Sequence, residues 1–503
     1  MDFYSPELLR LLAEQNTWLI VLPEIILAVL AMAVLLLEVA GERRQRLIPK
    51  IAIGGLSGVF LGVICVIIWR PFPESEAFAG LLRHSLMGDW MRLFFLLSAL
   101  GISLLTLPYL RQRRLSVCVF LYLVLMVTVG LMLLVQSVHF VMLFAALELV
   151  TVGFYILVGY CRGSALSLEA GLKYLILGAC SSAILLAGVV LLYGAASNPN
   201  ALAFTGTPLV FSALEGFIAA HPSDPLVRIG AALVIAGIAF KIGAVPFQIW
   251  IPDVYQGAPT PVTALLAVAS KAGGIFLLLN LVLGPFGPLQ GMVVPLLSAM
   301  AVGGIIFGNL AAMGQRNTKR LMGLSGVAHA GYLLIGVIAA MSLPWMLWAV
   351  FFYLLAYLLA SFAVFAVMLV LAPEEDAWQP LVDYRNLARD YPFLAGVLAI
   401  GLGSLAGIPP LGGFIGKALI FYAAFQAGHY SLLAVALLGV VLSVVYYFDW
   451  LLTAFVRNHP FPATQSQATV SLQVDPVQHA VMVCLAGGIV LLGLYPGIFY
   501  WLG

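Results

Sequence analysis

Phe240-Lys241-Ile-Gly-Ala-Val-Pro246-Phe-Gln-Ile-Trp-Ile-Pro252 and Ala406-Gly-Ile-Pro409-Pro410-Leu-Gly-Gly-Phe-Ile-Gly-Lys417 are apolar stretches in which glycine and proline interrupt a helix, each beside a lysine. Proline removes a backbone donor and blocks the helical ladder. At membrane depth such breaks are tolerated where they line polar or water-filled cavities. Similar breaks in two halves of one chain suggest an inverted repeat around a central path, with each lysine close to unpaired backbone.

Composition supplies the membrane. The 503 residues are 63% hydrophobic and 9% charged, with a mean hydropathy of +1.10, far outside the range of soluble domains. The expected fold is an all-α polytopic membrane protein. At about 20 apolar residues per crossing, the chain divides into about fourteen spans. They fall near 17–39, 50–69, 90–110, 115–135, 139–160, 169–194, 228–250, 260–284, 292–313, 319–341, 343–371, 392–427, 430–456 and 478–501.

Spans seven and twelve carry the breaks, so spans four to eight (115–284) and nine to thirteen (292–456) are expected as two inverted five-helix repeats with discontinuous helices seven and twelve. Residues 1–110 hold spans one to three, and 457–503 a C-terminal loop and the last span. The connections 195–227, 372–391 and 457–477 are too polar and short to fold alone, since a catalytic domain usually needs about 100 residues or more. One membrane domain, 1–503, is the expectation. The first span is too long and too carboxylate-flanked for a signal peptide, so no removed segment is expected.

Basic loops set the expected orientation. Arg43, Arg44, Arg46 and Lys50 follow span one, Arg111, Arg113 and Arg114 follow span three, and Arg316, Lys319 and Arg320 follow span nine. These loops are expected in the cytoplasm, with both termini on the periplasmic side. The loop with Glu374, Glu375, Asp376, Asp383 and Asp390 is acidic, but the rule counts Lys and Arg. Cys65, Cys118, Cys161, Cys180 and Cys484 form no CxxC pair and read as small core residues. Trp250, Trp345, Trp348 and Trp501 read as an interfacial belt. Nucleotide loops, HExxH helices and nucleophile elbows are absent as complete motifs, and a net charge of +2 gives no nucleic-acid signal.

The informative residues are lone charges inside apolar spans: Glu148, Lys173, Lys241, Lys271 and Lys417. A charge at mid-bilayer costs roughly 2.5 to 3.5 kcal/mol on insertion scales, so it persists where something uses it. His329 lies about 15 Å inside span ten from Lys319, and its ring type suits proton transfer. If span five matches span ten, Glu148 and His329 are both ionisable groups in matching helices. Lys173 lies close enough to the end of span six to snorkel. Glu24 and Glu38, near opposite ends of span one, are expected to be solvated.

The chain resembles the antiporter-like membrane subunits of proton-pumping NADH-quinone oxidoreductase, respiratory complex I, and among them the subunit N family. The resemblance rests on Leu22-Pro23-Glu24, on Ala146-Leu-Glu148-Leu, and on the long run from Phe240 through Asp253, Gly257 and Pro261 to Thr263, followed by Ser270-Lys271. It continues through Asn309 to Gln315, Thr318-Lys-Arg320, Ser325 to Tyr332, Asp383 to Arg389, Gly407-Ile-Pro-Pro and Gly413 to Lys417. Two stretches depart from it: Leu359-Ala-Ser-Phe-Ala363 lacks an Asn-Leu-Gly run, and Tyr446-Tyr-Phe-Asp449 carries an acid where relatives often have a base.

The resemblance implies a proton-translocating subunit with no cofactor of its own. NADH, FMN, iron-sulfur clusters and quinone would belong to other subunits, and its partners would be a neighbouring antiporter-like subunit, small membrane-arm subunits and the bilayer. On this reading Glu148 and Lys241 form a switching pair, Lys271 and His329 relay along the midplane, and Lys417 gates the exit. The same residues also admit blander roles: static ion pairs or assembly contacts for the lysines and Glu148, a hydrogen-bonded core position for His329, and snorkelling for Lys173. Three other functions fit less of the sequence: a multisubunit cation/proton antiporter, a structural cap of a membrane arm, and a free-standing solute carrier.

Overall fold

The computed structural model describes residues 17–39, 47–70, 72–199, 203, 206–456 and 474–497. Arg43, Arg44, Arg46 and Trp501 lie outside the described residues. The helices are α1 (Leu22–Val39), α2 (Ile48–Trp69), α3 (Leu86–Gln112), α4 (Val117–Gln136), α5 (Phe140–Val158), α6 (Ala165–Ala196), α7a (Pro225–Ile242) with α7b (Ile251–Gly257), and α8 (Thr260–Leu283). There follow α9 (Gln290–Met313), α10 (Thr318–Ala340), α11 (Met346–Leu371), α12a (Pro392–Ala406) with α12b (Gly412–Gln426), α13 (Tyr430–Phe455) and α14 (Pro476–Leu494). Among the described residues thirteen helices are long and apolar enough to cross a membrane. The interrupted α12 makes a further crossing, in agreement with the sequence count. A hairpin of β1 (Ser75–Ala77) and β2 (Leu82–His84) joins α2 to α3.

Local chemistry places the helix ends. Ser85, Ser116, Ser164, Asp224, Asn317 and Asp475 cap the starts of α3, α4, α6, α7a, α10 and α14 with their side chains, satisfying donors that have no partner within the helix. Close crossings use small residues: a Cβ on Gly331 of α10 would come 2.8 Å from the Ala301 carbonyl of α9. The outer surface carries large apolar side chains such as Leu36, Trp69, Val441 and Leu494, as a lipid-facing surface requires.

The runs α4–α8 and α9–α13 are each broken in their fourth helix. Gly243 (φ +72°) ends α7a and Gly407 (φ +88°) ends α12a, both in the left-handed region. An L side chain pays about 1–2 kcal/mol there. Gly407→Ala would also bring its Cβ 3.0 Å from Lys417 Cδ, and is expected to lower the thermal unfolding midpoint of the purified complex. Gly396→Ala, whose Cβ meets nothing within 4 Å, is expected to leave it unchanged.

Several sequence expectations are corrected. Span seven ends at Ile242, short of the expected 250, and helix resumes at Ile251, whereas the break of span twelve falls where expected, between Ala406 and Gly412. Trp250 is buried, donating through Nε1 to the Phe240 carbonyl at 3.1 Å, rather than interfacial. Cys65, Cys180 and Cys484 face outward. Glu24 is buried, with Arg92 Nε 2.8 Å away on α3. Asp376 of the acidic loop is also buried. It accepts from Thr260 N and Oγ1 (both 2.7 Å) and Tyr109 OH (2.9 Å), with Lys319 Nζ at 3.2 Å. It thereby caps the start of α8 from across the boundary between the two five-helix runs.

Candidate functional site

The spans α8 and α10 are buried along their apolar length; α8 holds Lys271 in the interior, and α10 holds His329 there in addition to Lys319 at its start. Lys271 follows a π-helical turn, Leu266–Ser270, a local widening that often marks functional positions. Its Nζ donates to the Gly326 carbonyl of α10 and lies 5.2 Å from the centre of the Tyr357 ring. The approach depends on Gly326 having no side chain: a Cβ there would sit 2.8 Å from Nζ and 3.3 Å from Tyr357 OH.

His329 lies nearly one turn further along α10. Its Nδ1 is 2.7 Å from Tyr353 OH and its Nε2 3.3 Å from Tyr447 OH, and its ring packs on Tyr357 with centres 4.9 Å apart. Tyr357 therefore stands between Lys271 and His329. Both His329 nitrogens face hydroxyls, which donate or accept. A neutral imidazole is satisfied there in either tautomer.

Lys417 of α12b donates to the carbonyls of Leu405 (2.8 Å) and Ala406 (2.9 Å) at the end of α12a. The helix break thus supplies its partners, as the sequence suggested. A cavity offering about 10 Å³ to a water's centre separates Lys417 from His329, bordered by Tyr353, Tyr357, Ser404 and Gly413. That is room for about one water.

At the other end the geometry differs from expectation. Lys241, at the end of α7a, does not turn to the freed backbone; its Nζ donates to Thr151 Oγ1 of α5 at 2.9 Å. Glu148, about one turn earlier on α5, accepts from Ser182 Oγ of α6. Among the described residues, no carboxylate oxygen lies within 4.0 Å of Lys241, Lys271 or Lys417. The expected Glu148–Lys241 ion pair is therefore open, each partner held by a hydroxyl.

Lys173 stands apart from this line. Its side chain is 41% exposed and bonds Glu169 and Asp253 at 2.7 Å each, and Asp253 also binds Arg320 of α10 at 2.9 Å. The structure joins Lys241 to α5, and Lys271, His329 and Lys417 to one another through tyrosines, and leaves Lys173 in a surface network. Sequence reading missed Thr151, Ser182, Gly326, Tyr353, Tyr357 and Tyr447. The usable signal was Tyr353 and Tyr357 one turn apart on one face of α11, and Thr151 in the same relation to Glu148. Among the described residues no group of three or more His, Cys, Asp or Glu could hold a metal ion.

Comparison with known proteins identifies the family. Residues 137–443 match a family model described as NADH:quinone oxidoreductase/Mrp antiporter, TM. The chain is 52% identical over 488 residues to NADH-quinone oxidoreductase subunit N 1 of Opitutus terrae, covering 96% of each chain. A chain of respiratory complex I from Thermus thermophilus with bound aureothin superposes with a TM-score of 0.77 at 30% identity, covering 95% of this chain and 98% of that one. A chain of the Mrp complex from Dietzia sp. gives a TM-score of 0.80 over 96% of both chains at 20% identity, a likeness of fold alone. Motifs, fold and relatives agree, and the chain belongs to the NADH-quinone oxidoreductase subunit N family.

Proposed function

We propose that this chain carries protons across a bacterial inner membrane as a membrane-arm subunit of an NADH-quinone oxidoreductase, along the line Glu148, Lys241, Lys271, His329 and Lys417. The observation that carries this reading is the partnering of its lysines. Burying a charge is costly unless an opposite charge compensates it. Elsewhere in the interior the chain meets that need, as at Arg92 with Glu24 and at Lys319 with Asp376. Lys241, Lys271 and Lys417 are buried yet bonded only to neutral oxygens. Neutral acceptors hold an ammonium without locking it in the charged state, as a mobile proton requires.

Within that line each group has a share of the work. Opening and closing the Glu148–Lys241 pair across Thr151 and Ser182 changes the field on Lys271. His329, between two hydroxyls, passes a proton by taking one on one nitrogen and giving one from the other. The cavity beside Lys417 admits the water that completes the step to α12. Lys173 and Asp253 anchor the end of the path rather than carry it. Flavin, iron-sulfur clusters, NADH and quinone belong to other subunits; neighbouring antiporter-like and small membrane subunits flank this one. The described basic residues Arg111, Arg113, Arg114, Arg316 and Arg320 support a cytoplasmic position for the ends of α3 and α9.

Gentle purification of the tagged chain from its own membranes tests the assignment. Co-purifying flavin, iron-sulfur signals and membrane-arm chains are expected; only small cofactor-free membrane partners would assign the chain to a cation antiporter instead. Gly326→Ala tests the line itself. It is expected to keep the complex assembled while slowing proton pumping several-fold, because Lys271 loses its seat; pumping at the parental rate would remove Lys271 from the path.

A further inference from the structure

We propose that His84 and Asp89 form a second proton-binding site, outside the lysine line, which holds one proton on the hairpin that joins α2 to α3. Its ligand is the proton itself, and its two hydrogen bonds decide the matter. His84 Nε2 lies 2.9 Å from Asp89 Oδ2, and Nδ1 lies 3.2 Å from the Pro73 carbonyl. A backbone carbonyl only accepts, and Asp89 accepts from Arg92 Nη1 through its other oxygen at 2.7 Å, as an ionised carboxylate does. A neutral imidazole has a single N–H and can satisfy one of these acceptors. With Asp89 ionised beside Arg92, both are satisfied only by imidazolium. His329 is the contrast, since its neighbours are hydroxyls.

Charge balance requires the same proton. Glu24, His84, Asp89 and Arg92 are all at most 5% exposed. Glu24 and Asp89 bring two negative charges, and Arg92 one positive. Gln136 of α4 adds a neutral bond to Glu24 at 2.7 Å, and the groove residues of α2 carry no charge. On the hairpin itself Arg83 and Glu74 pair at the exposed surface, 3.6 Å apart. A proton on His84 balances the cluster, whereas its loss leaves one buried carboxylate uncompensated. A groove of about 460 Å³ between α1 and α2 reaches His84, Asp89 and Arg92, so the proton exchanges without unfolding. The hairpin lies at the end of α3 opposite Arg111 and Arg113, which is the outer face in the proposed orientation.

The hydrogen bond to Asp89 also raises the proton affinity of His84 above the ordinary histidine range, against an opposing effect of burial. With a folded-state midpoint above 6.5, the anchorage is complete below pH 6.5 and is lost as pH rises through the folded midpoint. The hairpin then keeps only one of its two ring hydrogen bonds and loosens.

The test uses the full chain in vesicles with ¹⁵N-labelled histidine. Of seven histidines, one signal is expected to remain imidazolium to a higher pH than the rest, to vanish in His84→Gln, and to titrate at lower pH in Asp89→Asn. Amide exchange across residues 72–84, corrected for its intrinsic rate, is expected to rise at the same midpoint. If a variant fails to accumulate, the wild-type titration still decides: no signal outlasting the others overturns the site. Exchange that ignores the midpoint overturns the anchorage.

Discussion

Lys241→Met is expected to leave an assembled complex whose proton pumping falls by roughly a hundredfold or more, the range for losing a positioned proton-transfer group. Quinone reduction is expected to slow with it because the steps are coupled. The structure says why assembly survives. Methionine keeps the length and apolar stem of the lysine, and Thr151 Oγ1, which loses the ammonium, still donates to the Leu147 carbonyl at 2.6 Å. No carboxylate is stranded, because none contacts Lys241. Glu148→Ala is expected to act in the same direction through the other half of the open pair. Proton uptake by proteoliposomes, set beside a native gel of the complex, checks both; unchanged pumping in both variants would remove the pair from the mechanism.

The opposite outcome is expected for Arg92→Met. Arg92 is buried against Glu24 at 2.8 Å and Asp89 at 2.7 Å, and its Nη2 donates to the Ile20 carbonyl at 2.6 Å. Its removal takes a cation from both carboxylates and, with His84 charged beside Asp89, leaves one buried carboxylate uncompensated; breaking a buried pair typically costs about 3–5 kcal/mol. The expected result is a sharp fall in the amount of assembled complex and in its thermal midpoint. Adding Glu24→Gln and Asp89→Asn to Arg92→Met is expected to restore part of the loss, since neutral amides can be buried where bare carboxylates cannot. A midpoint equal to that of the parent would mean the cluster does not hold α1 to α3. Together the two variants separate the two kinds of buried charge as proposed for this chain: compensated ones that hold helices, and uncompensated ones that give up a proton.

Much of this was legible before any coordinates. The spans and both breaks follow from apolar run length and from glycine and proline, which act locally. Lysines at 241, 271 and 417 stood out because a charge in hydrocarbon is costly wherever it is. The errors concern contacts between distant segments. Glu24 looked solvated because its partner Arg92 is three helices into the chain, and no local pattern joins them. Asp376 looked like one of several loop acids, yet it alone among them caps α8. The Glu148–Lys241 pair was expected closed because opposite charges attract; Thr151 and Ser182, ordinary polar residues in sequence, hold it open. Tyr353 and Tyr447 were hidden inside apolar runs, where tyrosine reads as packing until its hydroxyl meets a histidine, and Tyr357 until its ring packs on one.

The central claim is that the uncompensated lysines work by releasing protons, and Lys271→Arg tests it most directly. Arginine keeps the positive charge but does not deprotonate in proteins. Proton pumping would be measured in proteoliposomes holding the assembled Lys271→Arg complex. Loss as severe as in Lys271→Met is the predicted result. Pumping at the parental rate would show that Lys271 serves as a fixed charge, and would contradict the account.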